Sequence, residues 1–265
     1  MAGSVLIFDS GVGGLSVAAA LRQHYPGAAL SYACDNAWLP YGLRPDEVLT
    51  QRIVAVCRAA VEACRPAVLV VACNTASTLA LEPLRRALAI PVVGTVPAIK
   101  PAAALSQTRH LGLLATTATV RRPYTQRLIE HFAADCRVTF VAADALVTEA
   151  EAWLGGASPN PARLNAALTP LWKAASASSP LDTVVLGCTH FPLLTPWLAA
   201  LSPLPLAWVD SGDAIARRVG QLVAPLLNAS DESGQAFATA PRPALAHALA
   251  AYGFQRPEYL PVAAC

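Results

Sequence analysis

Two cysteines in this sequence stand in the same setting, each at the end of an apolar run and directly before two polar residues. Residues 68–75 read VLVVACNT and carry Cys73, and residues 183–190 read TVVLGCTH and carry Cys188. A thiol becomes a base or a nucleophile once it loses its proton, and a polar neighbour can lower its pKa or shuttle that proton. Two thiols in matching settings indicate paired acid–base chemistry rather than a single nucleophile.

Asp9 and His190 are the groups best placed to handle the protons of these thiols. Asp9 follows the apolar run at residues 5–8, and His190 lies two positions after Cys188. Racemisation without a cofactor needs such a set, because one base removes the α-proton from one face while the conjugate acid of another returns a proton from the opposite face. The carbanion-like transition state also needs hydrogen-bond donors in a site that excludes water. Besides backbone amides, the candidate donors are Asn74, Thr75 and Thr189.

The same residues also fit other chemistry. A cysteine hydrolase would use Cys188 and His190 as nucleophile and base, and would tolerate the loss of Cys73. A racemase of aspartate or of a hydantoin, or a decarboxylase of a related diacid, would share the logic of the site. A non-catalytic binding module in a degenerate copy of the fold is a further alternative. Assays across acidic amino acids and replacement of Cys73 distinguish these functions.

The glycine-rich segment at residues 9–14 (DSGVGG) follows the first apolar run. It lacks the spacing of a dinucleotide fingerprint and the lysine of a P-loop. Two interpretations remain open: a turn whose backbone amides face an anionic ligand such as a carboxylate, or a tight turn between a strand and a helix with nothing bound.

Composition narrows the partners and the compartment. Of the 265 residues, 55% are hydrophobic and 14% are charged, and the formal net charge is +2. This balance offers no basic patch for nucleic acid or for an anionic membrane, and no apolar run is long enough to cross a bilayer. We therefore expect a cytoplasmic protein without a nucleic-acid or membrane partner, and a homodimer stays open.

Cysteine usage and motif spacing indicate that the chemistry needs no bound group. The chain has seven cysteines but no CxxC pair and no recognisable signal peptide, so neither disulfides nor zinc-finger sites are expected. No lysine stands in the strand-end motifs to anchor pyridoxal phosphate. We expect no cofactor and no metal. The remaining cysteines are expected to be buried packing residues or idle surface thiols: Cys34, Cys57, Cys64, Cys136 and Cys265.

Short apolar runs alternate with segments of helical period along the chain. The predicted strands are residues 5–8, 68–71, 92–93, 111–114, 138–141 and 183–186, and the predicted helices are residues 14–24, 45–63, 76–88, 120–132 and 160–175. Continuous apolar strands between helices are typical of parallel sheets covered on both faces. In such sheets the ligand site lies at the carboxyl ends of the strands, where the candidate residues stand.

A weak internal repeat runs through the chain. Residues 5–10 match residues 111–116, and the two cysteine segments match each other, each pair being a strand followed by polar residues. Duplicated halves and chance similarity between buried strands both remain open. Prolines near Pro97 indicate a crossing between two halves, and the Pro-rich stretch at residues 192–205 is the candidate for the return.

Several segments resemble the signature segments of bacterial glutamate racemases, within the aspartate/glutamate racemase superfamily. They are residues 7–16 (IFDSGVGGLS), 39–42 (LPYG), 72–77 (ACNTAS), 186–193 (LGCTHFPL) and 209–213 (VDSGD). The resemblance implies an α/β fold of two similar open-sheet domains with the active site at their interface. Residues 1–97 with 207–265 would form the first domain and residues 98–206 the second.

The resemblance also implies roles for individual residues in converting L- and D-glutamate into each other, which would supply D-glutamate for peptidoglycan synthesis. Cys73, assisted by Asp9, would take the proton from D-glutamate, and Cys188, assisted by His190, from L-glutamate. A glutamate of the second domain would help on the His190 side. Glu151 is preferred over Glu149 for this role, although the family's usual Cys-Pro lead-in is absent. The substrate contacts would be Asp9, Ser10, Tyr41, Gly42, Asn74, Thr75, Thr116, Thr189 and His190.

Overall fold

The structure is a computed structural model that describes residues 4–176, 180–224, 227 and 234–262. Cys265 therefore lies outside the described residues. Within these ranges, no helix combines the length and the apolarity needed to span a membrane. The six described cysteines are all free thiols.

In the described part of the chain, ten strands form two sheets, and the strand pairings are all parallel. The six-stranded sheet has the order β10-β9-β2-β1-β3-β4, and the four-stranded sheet has the order β6-β5-β7-β8. The strands are β1 Val5–Asp9, β2 Leu30–Cys34, β3 Val68–Val71, β4 Val92–Gly94, β5 His110–Ala115, β6 Arg137–Ala142, β7 Thr183–Leu186, β8 Ala207–Val209, β9 Ala236–Ala238 and β10 Glu258–Tyr259.

Helices connect the strands and cover both faces of the sheets. They are α1 Leu15–His24, α2 Asp46–Cys64, α3 Asn74–Ala87, α4 Ile99–Leu105, α5 Thr117–Arg121, α6 Pro123–Phe132, α7 Ala145–Leu154, α8 Pro161–Ala175, α9 Thr195–Ala200, α10 Gly212–Val223 and α11 Pro243–Ala251. Short 3-10 turns lie at Tyr41–Leu43 and Pro192–Leu194. The α/β fold with two parallel sheets, expected from the sequence, is confirmed.

The core follows from the alternation of side chains along buried strands. In β1, Val5 and Ile7 pack on one face of the sheet with α1, α10 and α11, whereas Leu6 and Phe8 pack on the other with α2 and α3. The four-stranded sheet is likewise covered by α7, α8 and α9 on one face and by α4 on the other. Burial on both faces explains why these strands read as continuous apolar runs.

The two sheets share one winding order. Strands β2-β1-β3-β4 of the six-stranded sheet and strands β6-β5-β7-β8 of the four-stranded sheet follow the same sequence of crossovers. In this correspondence β1 matches β5 and β3 matches β7, which are the segments that the internal repeat paired. The shared topology favours duplicated halves over chance similarity. We refer to the two halves by their sheets, as the six-stranded half and the four-stranded half.

The structure corrects several predicted boundaries. The helix predicted at residues 120–132 is two helices, because Pro123 restrains Arg122 to an extended conformation and separates α5 from α6. The return to the six-stranded half does not run through residues 192–205. It follows Val209, since β8 pairs with β7 and extends the four-stranded sheet past the boundary expected at 206. Strands β2, β8, β9 and β10 were not predicted.

Asp182 fastens the start of β7 to the loop before β5. Its carboxylate accepts hydrogen bonds from Ser106 Oγ at 2.6 Å, Gln107 N at 2.7 Å, Thr108 N at 2.9 Å and Thr183 Oγ1 at 2.9 Å. Partial burial alone would raise the pKa of this carboxyl, but the four donors outweigh it and lower the pKa to about 2. The ionised carboxylate therefore stabilises the fold.

Replacing Asp182 with Asn should lower the free energy of unfolding by about 1 kcal/mol at pH 7, after allowance for solvent screening. Because the folded-state pKa lies below the unfolded one, the stabilisation is present above about pH 4 and is lost as the pH falls toward 2. Urea unfolding of both proteins across this range measures the difference. Glu82→Gln, on an exposed helical pair with Arg85, is the control and should change little; an Asp182→Asn deficit that persists unchanged at pH 2 would contradict this account.

Candidate active site

Four parallel strands bring the candidate residues together at their carboxyl ends. β1 and β3 deliver Asp9 and Cys73, and β5 and β7 deliver Thr116 and Cys188. In each sheet these two strands are neighbours at the point where the winding reverses direction. Such switch points form the binding crevices of open α/β sheets, and here the two crevices face each other.

Both thiols open on one partly enclosed cavity, whose empty space of about 380 Å³ includes its opening to solvent. Cys73 and Cys188 are 7% and 8% exposed, so each is nearly removed from solvent. The sequence-predicted residues on the cavity wall are Ser10, Tyr41, Gly42, Cys73, Asn74, Thr75, Thr116, Cys188, Thr189 and His190. The wall also includes Leu39, Pro40, Thr119 and Val147, which sequence reasoning missed. Thr119 could have been identified from the sequence, because it lies in a threonine-rich segment that begins at Thr116.

Cys188 stands at the end of a chain of polar contacts. Its sulfur lies 3.8 Å from His190 Nδ1, and His190 Nε2 lies 2.8 Å from Glu151 Oε1. Burial lowers the pKa of His190, but the contacts with Cys188 and Glu151 outweigh burial and hold the pKa well above its usual value. A protonated imidazole beside the sulfur would stabilise a Cys188 thiolate.

Cys73 has a different environment. Its sulfur lies 3.8 Å from Ser10 Oγ, and burial together with the nearby charge of Asp9 raises its pKa to about 12. Asp9 itself is fully buried and accepts hydrogen bonds from Gly11 N at 2.8 Å and Thr189 Oγ1 at 3.0 Å. Asp9 thus acts on Cys73 through its charge, and Ser10 is the group in contact with the sulfur.

The glycine-rich turn binds a carboxylate that belongs to the protein. The amide of Val12 donates to Glu151 Oε1 at 2.9 Å, so the turn of the six-stranded half holds a side chain of helix α7 in the other half. A Cβ at Gly11 would lie 2.1 Å from Glu151 Oε1, and one at Gly13 would lie 2.5 Å from His190 Nδ1. A side chain at either position would displace Glu151 or His190, because the two halves approach each other this closely.

The two candidate glutamates of α7 have separate roles. Glu151 reaches the site, and its contacts with His190 and with Val12 N lower its pKa against the raising effect of burial. Glu149 accepts from Asn160 N at 2.8 Å and pairs with Arg163, which fastens α7 to the start of α8. Of the two, Glu151 is the one in contact with His190, and its catalytic role stays a prediction.

Asn74 leaves one hydrogen-bonding group unused. Among the described residues, its Oδ1 is a buried side-chain oxygen without a partner, and the residue lines the cavity. Leaving a buried acceptor unsatisfied costs about 1–3 kcal/mol. A ligand donor in the cavity would remove that cost.

The two halves also meet at the mouth of the cavity. The turn Tyr41–Leu43 packs against α5, where a Cβ at Gly42 would lie 3.3 Å from that of Ala118. Beside it, Arg122 forms a two-pronged ion pair with Asp46 at 2.5 and 2.8 Å. The hydrogen bonds and the charge of Arg122 lower the pKa of the Asp46 carboxyl.

No group of three or more metal-ligating side chains is found in the described part of the chain. The expectation of a metal-free, cofactor-free site stays a prediction. Two thiols and one imidazole line the cavity, and the carboxylates of Asp9 and Glu151 contact the lining residues Thr189 and His190, a set suited to proton transfer.

Comparison with known proteins agrees with this chemistry. The family described as Asp/Glu/Hydantoin racemase matches residues 15–219. A glutamate racemase of Shewanella loihica is 46% identical over 257 residues, covering 96% of this chain and 95% of that protein. The crystal structure of Escherichia coli glutamate racemase, in complex with L-glutamate and the activator UDP-MurNAc-Ala, has a TM-score of 0.92 at 43% identity and covers 100% of both chains. Glutamate racemase from Aquifex pyrophilus has a TM-score of 0.74 at 29% identity, with 98% of each chain covered.

Replacing Gly13 with Ala tests the close approach of the two halves. The added Cβ would lie 2.5 Å from both His190 Nδ1 and Thr189 Oγ1, so both side chains must move. A displacement of this size should lower kcat/KM for L-glutamate by about a hundredfold, measured by polarimetry. Gly42→Ala, with its nearest contact at 3.3 Å, should lose less; a fully active Gly13→Ala variant would show that this contact is not needed.

Proposed function

Because this chain belongs to the Asp/Glu/hydantoin racemase family, as a glutamate racemase, we propose that it interconverts L- and D-glutamate with two opposed bases, Cys73 and Cys188. The activity makes it an isomerase, and the D-glutamate product serves peptidoglycan synthesis, cell-wall biogenesis and cell shape. The observation that carries the proposal is that both thiols, one from each half, open on one cavity.

Cys188 is the base toward L-glutamate in this proposal. Its thiolate is paired with a His190 imidazolium, which the carboxylate of Glu151 stabilises from the far side of the ring. The thiolate takes the α-proton, and the bond pair remains on the α-carbon as a carbanion-like centre beside the carboxylate. Both thiols are more than nine-tenths buried, so solvent weakens the hydrogen bonds around that centre less than it would at the surface.

Cys73 is the acid in the same direction. Burial and the charge of Asp9 keep the Cys73 proton in place, so the thiol can deliver it to the opposite face of the carbanion. In the reverse direction the two cysteines exchange roles: a Cys73 thiolate removes the proton of D-glutamate and the Cys188 thiol returns one. Asp9 and Ser10 lie where they can assist that step.

Polar groups of both halves would hold the substrate. Asn74 Oδ1 is free to accept a hydrogen bond from the substrate ammonium, and the amides at the start of α3 favour a carboxylate. The remaining proposed contacts are Asp9, Ser10, Tyr41, Gly42, Thr75, Thr116, Thr189 and His190.

We further propose that the two halves are domains that move relative to each other when substrate binds. The first would comprise residues 1–97 and the chain after β8, and the second the segment from 98 through β8. The ion pair of Arg122 with Asp46 joins the halves at an exposed position, and such a contact can open and close.

The remaining proposals concern the cellular compartment and the oligomeric state of the enzyme. Free thiols throughout the described part of the chain support a reducing, cytoplasmic location. Light scattering of the purified protein would test whether it forms a homodimer.

The two-base proposal predicts that Cys73→Ala and Cys188→Ala each lower racemisation by about a thousandfold, because neither thiol reaches both faces of the carbon. Incubation of L-glutamate in D₂O with chelator and without added cofactor, followed by polarimetry and by α-deuterium incorporation, measures this. A Cys73→Ala variant that keeps a tenth of the activity in both directions would favour a one-thiol mechanism. Parallel assays with aspartate and hydantoins test substrate class, and release of CO₂ would indicate a decarboxylase.

Glu151→Gln should shift the basic limb of the pH profile of kcat/KM for L-glutamate to lower pH. The Glu151 carboxylate raises the pKa of His190, so a neutral amide lets the imidazolium lose its proton at lower pH and withdraws support from the Cys188 thiolate. Glu149→Gln is the matched control from the same helix and should leave the limb in place. A limb that moves equally in both variants, or in neither, contradicts the assignment to Glu151.

A further inference from the structure

A third buried carboxylate lies next to the cavity, and neither thiol network uses it. Asp35 directly follows β2 and is fully buried. Its Oδ1 accepts hydrogen bonds from Arg52 Nη2 at 2.7 Å and Thr239 Oγ1 at 2.6 Å. Its Oδ2 accepts from Arg52 Nε at 2.9 Å and from the Tyr41 hydroxyl at 2.9 Å. Four donors thus converge on one carboxylate.

Arg52 fixes this carboxylate from helix α2. The guanidinium donates through two adjacent nitrogens, the planar geometry in which an Arg–carboxylate pair is most directional. Its carbon Cζ also lies 5.3 Å from the ring centre of Trp38, in the loop that Asp35 begins. Because Arg52 is buried as well, the pair is shielded from solvent and cannot relax by hydrating.

Thr239 ties the same loop to the segment after β9. Its hydroxyl donates to Asp35 and accepts from the amide of Ala37 at 3.1 Å. Beside it, Asn36 makes two hydrogen bonds with the backbone of Ala240, each at 2.9 Å. The loop is therefore anchored at its start and at Tyr41, on either side of residues 39–40.

Tyr41 is where this network reaches the cavity. Residues 39–42 all line the cavity wall, and the Tyr41 side chain is nearly fully buried. Its hydroxyl is turned to Asp35, and burial together with the Asp35 charge raises the pKa of the phenol well above its ordinary value. The hydroxyl thus stays protonated and committed to Asp35, which leaves the ring and the backbone of the turn to face the substrate.

We propose that Asp35, fixed by Arg52, is a positioning residue that holds the turn at residues 39–42 in its substrate-binding shape through the Tyr41 hydroxyl. The inference rests on the proposed racemase function and deepens it. A turn ordered in advance loses no conformational freedom when substrate binds. The thiols are positioned independently, by β3 and β7, so the network acts on substrate affinity rather than on proton transfer.

The test measures kcat and KM for both glutamate enantiomers in Tyr41→Phe, Arg52→Lys and the double variant, with urea unfolding of each. Tyr41→Phe should raise KM about tenfold, the scale of one hydrogen bond to a charged group, and leave kcat within about twofold. Arg52→Lys keeps the charge but loses the two-pronged geometry, and should raise KM to a similar extent. Tyr259→Phe, on an exposed tyrosine, is the control and should change neither constant.

The double variant separates positioning from a general loss of stability. If Arg52 acts on the turn through Asp35 and the Tyr41 hydroxyl, the KM of the double variant equals that of Tyr41→Phe, whereas its unfolding midpoint lies below that of either single variant. A KM that multiplies across the two changes overturns the proposal, and so does an unchanged KM in Tyr41→Phe. A large fall in kcat with KM constant would make the hydroxyl a chemical group and also overturn it. Failure of the wild-type protein to racemise glutamate would instead reject the proposed function.

Discussion

The site depends on one oxygen atom that both halves of the protein share. Glu151 Oε1 accepts from the Val12 amide at 2.9 Å and contacts His190 Nε2 at 2.8 Å. The first contact joins α7 to the turn after β1, and the second keeps a charged imidazole beside Cys188. One carboxylate therefore both joins the two halves and holds the imidazole that contacts a thiol. A two-base reaction needs both effects at once, because its bases must face one carbon from opposite sides.

The close approach of the two halves around this carboxylate explains further hydrogen bonds between them and the glycines of the turn, which look unrelated in the sequence. A second connection runs from Thr189 Oγ1 to Asp9 Oδ2 at 3.0 Å, and Ser16 Oγ donates to the Thr189 carbonyl at 2.9 Å. The bonds of Val12 with Glu151, of Thr189 with Asp9 and of Ser16 with Thr189 all join the two halves. They lie at buried or partly buried positions, where an unpaired partner is costly. Side chains larger than hydrogen at Gly11 and Gly13 would separate the partners.

Sequence reasoning reached the parts of the site that are local in the chain. Cys73 and Cys188 could be found because each ends a buried strand, and the parallel sheets bring such ends together. The carboxylate held by the glycine turn could not be identified as Glu151, since the contact joins residues 139 positions apart. Strand β2 was not predicted for a different reason. The serine within Leu30–Cys34 interrupts its apolar run, and the residues that bury the strand lie far away in the sequence. Asp35 was missed with it, because its role depends on a helix and on the segment after β9.

The same topology gives the two thiols equivalent places, yet the chain surrounds them differently. Cys188 has His190 and Glu151 beside it, whereas Cys73 has Ser10 and the charge of Asp9. Enantiomers are equal in free energy, so this asymmetry cannot alter the ratio of kcat/KM for the two directions. On a two-base mechanism it gives the two directions different proton-handling groups, because the neighbour of one sulfur is an imidazole and the neighbour of the other is a hydroxyl. Burial and the charge of Asp9 raise the pKa of Cys73 to about 12, so the step in which Cys73 must act as the base, toward D-glutamate, depends most on the groups around the sulfur. The different surroundings of the two thiols thus act on the individual steps of each direction while leaving the equilibrium between the enantiomers untouched.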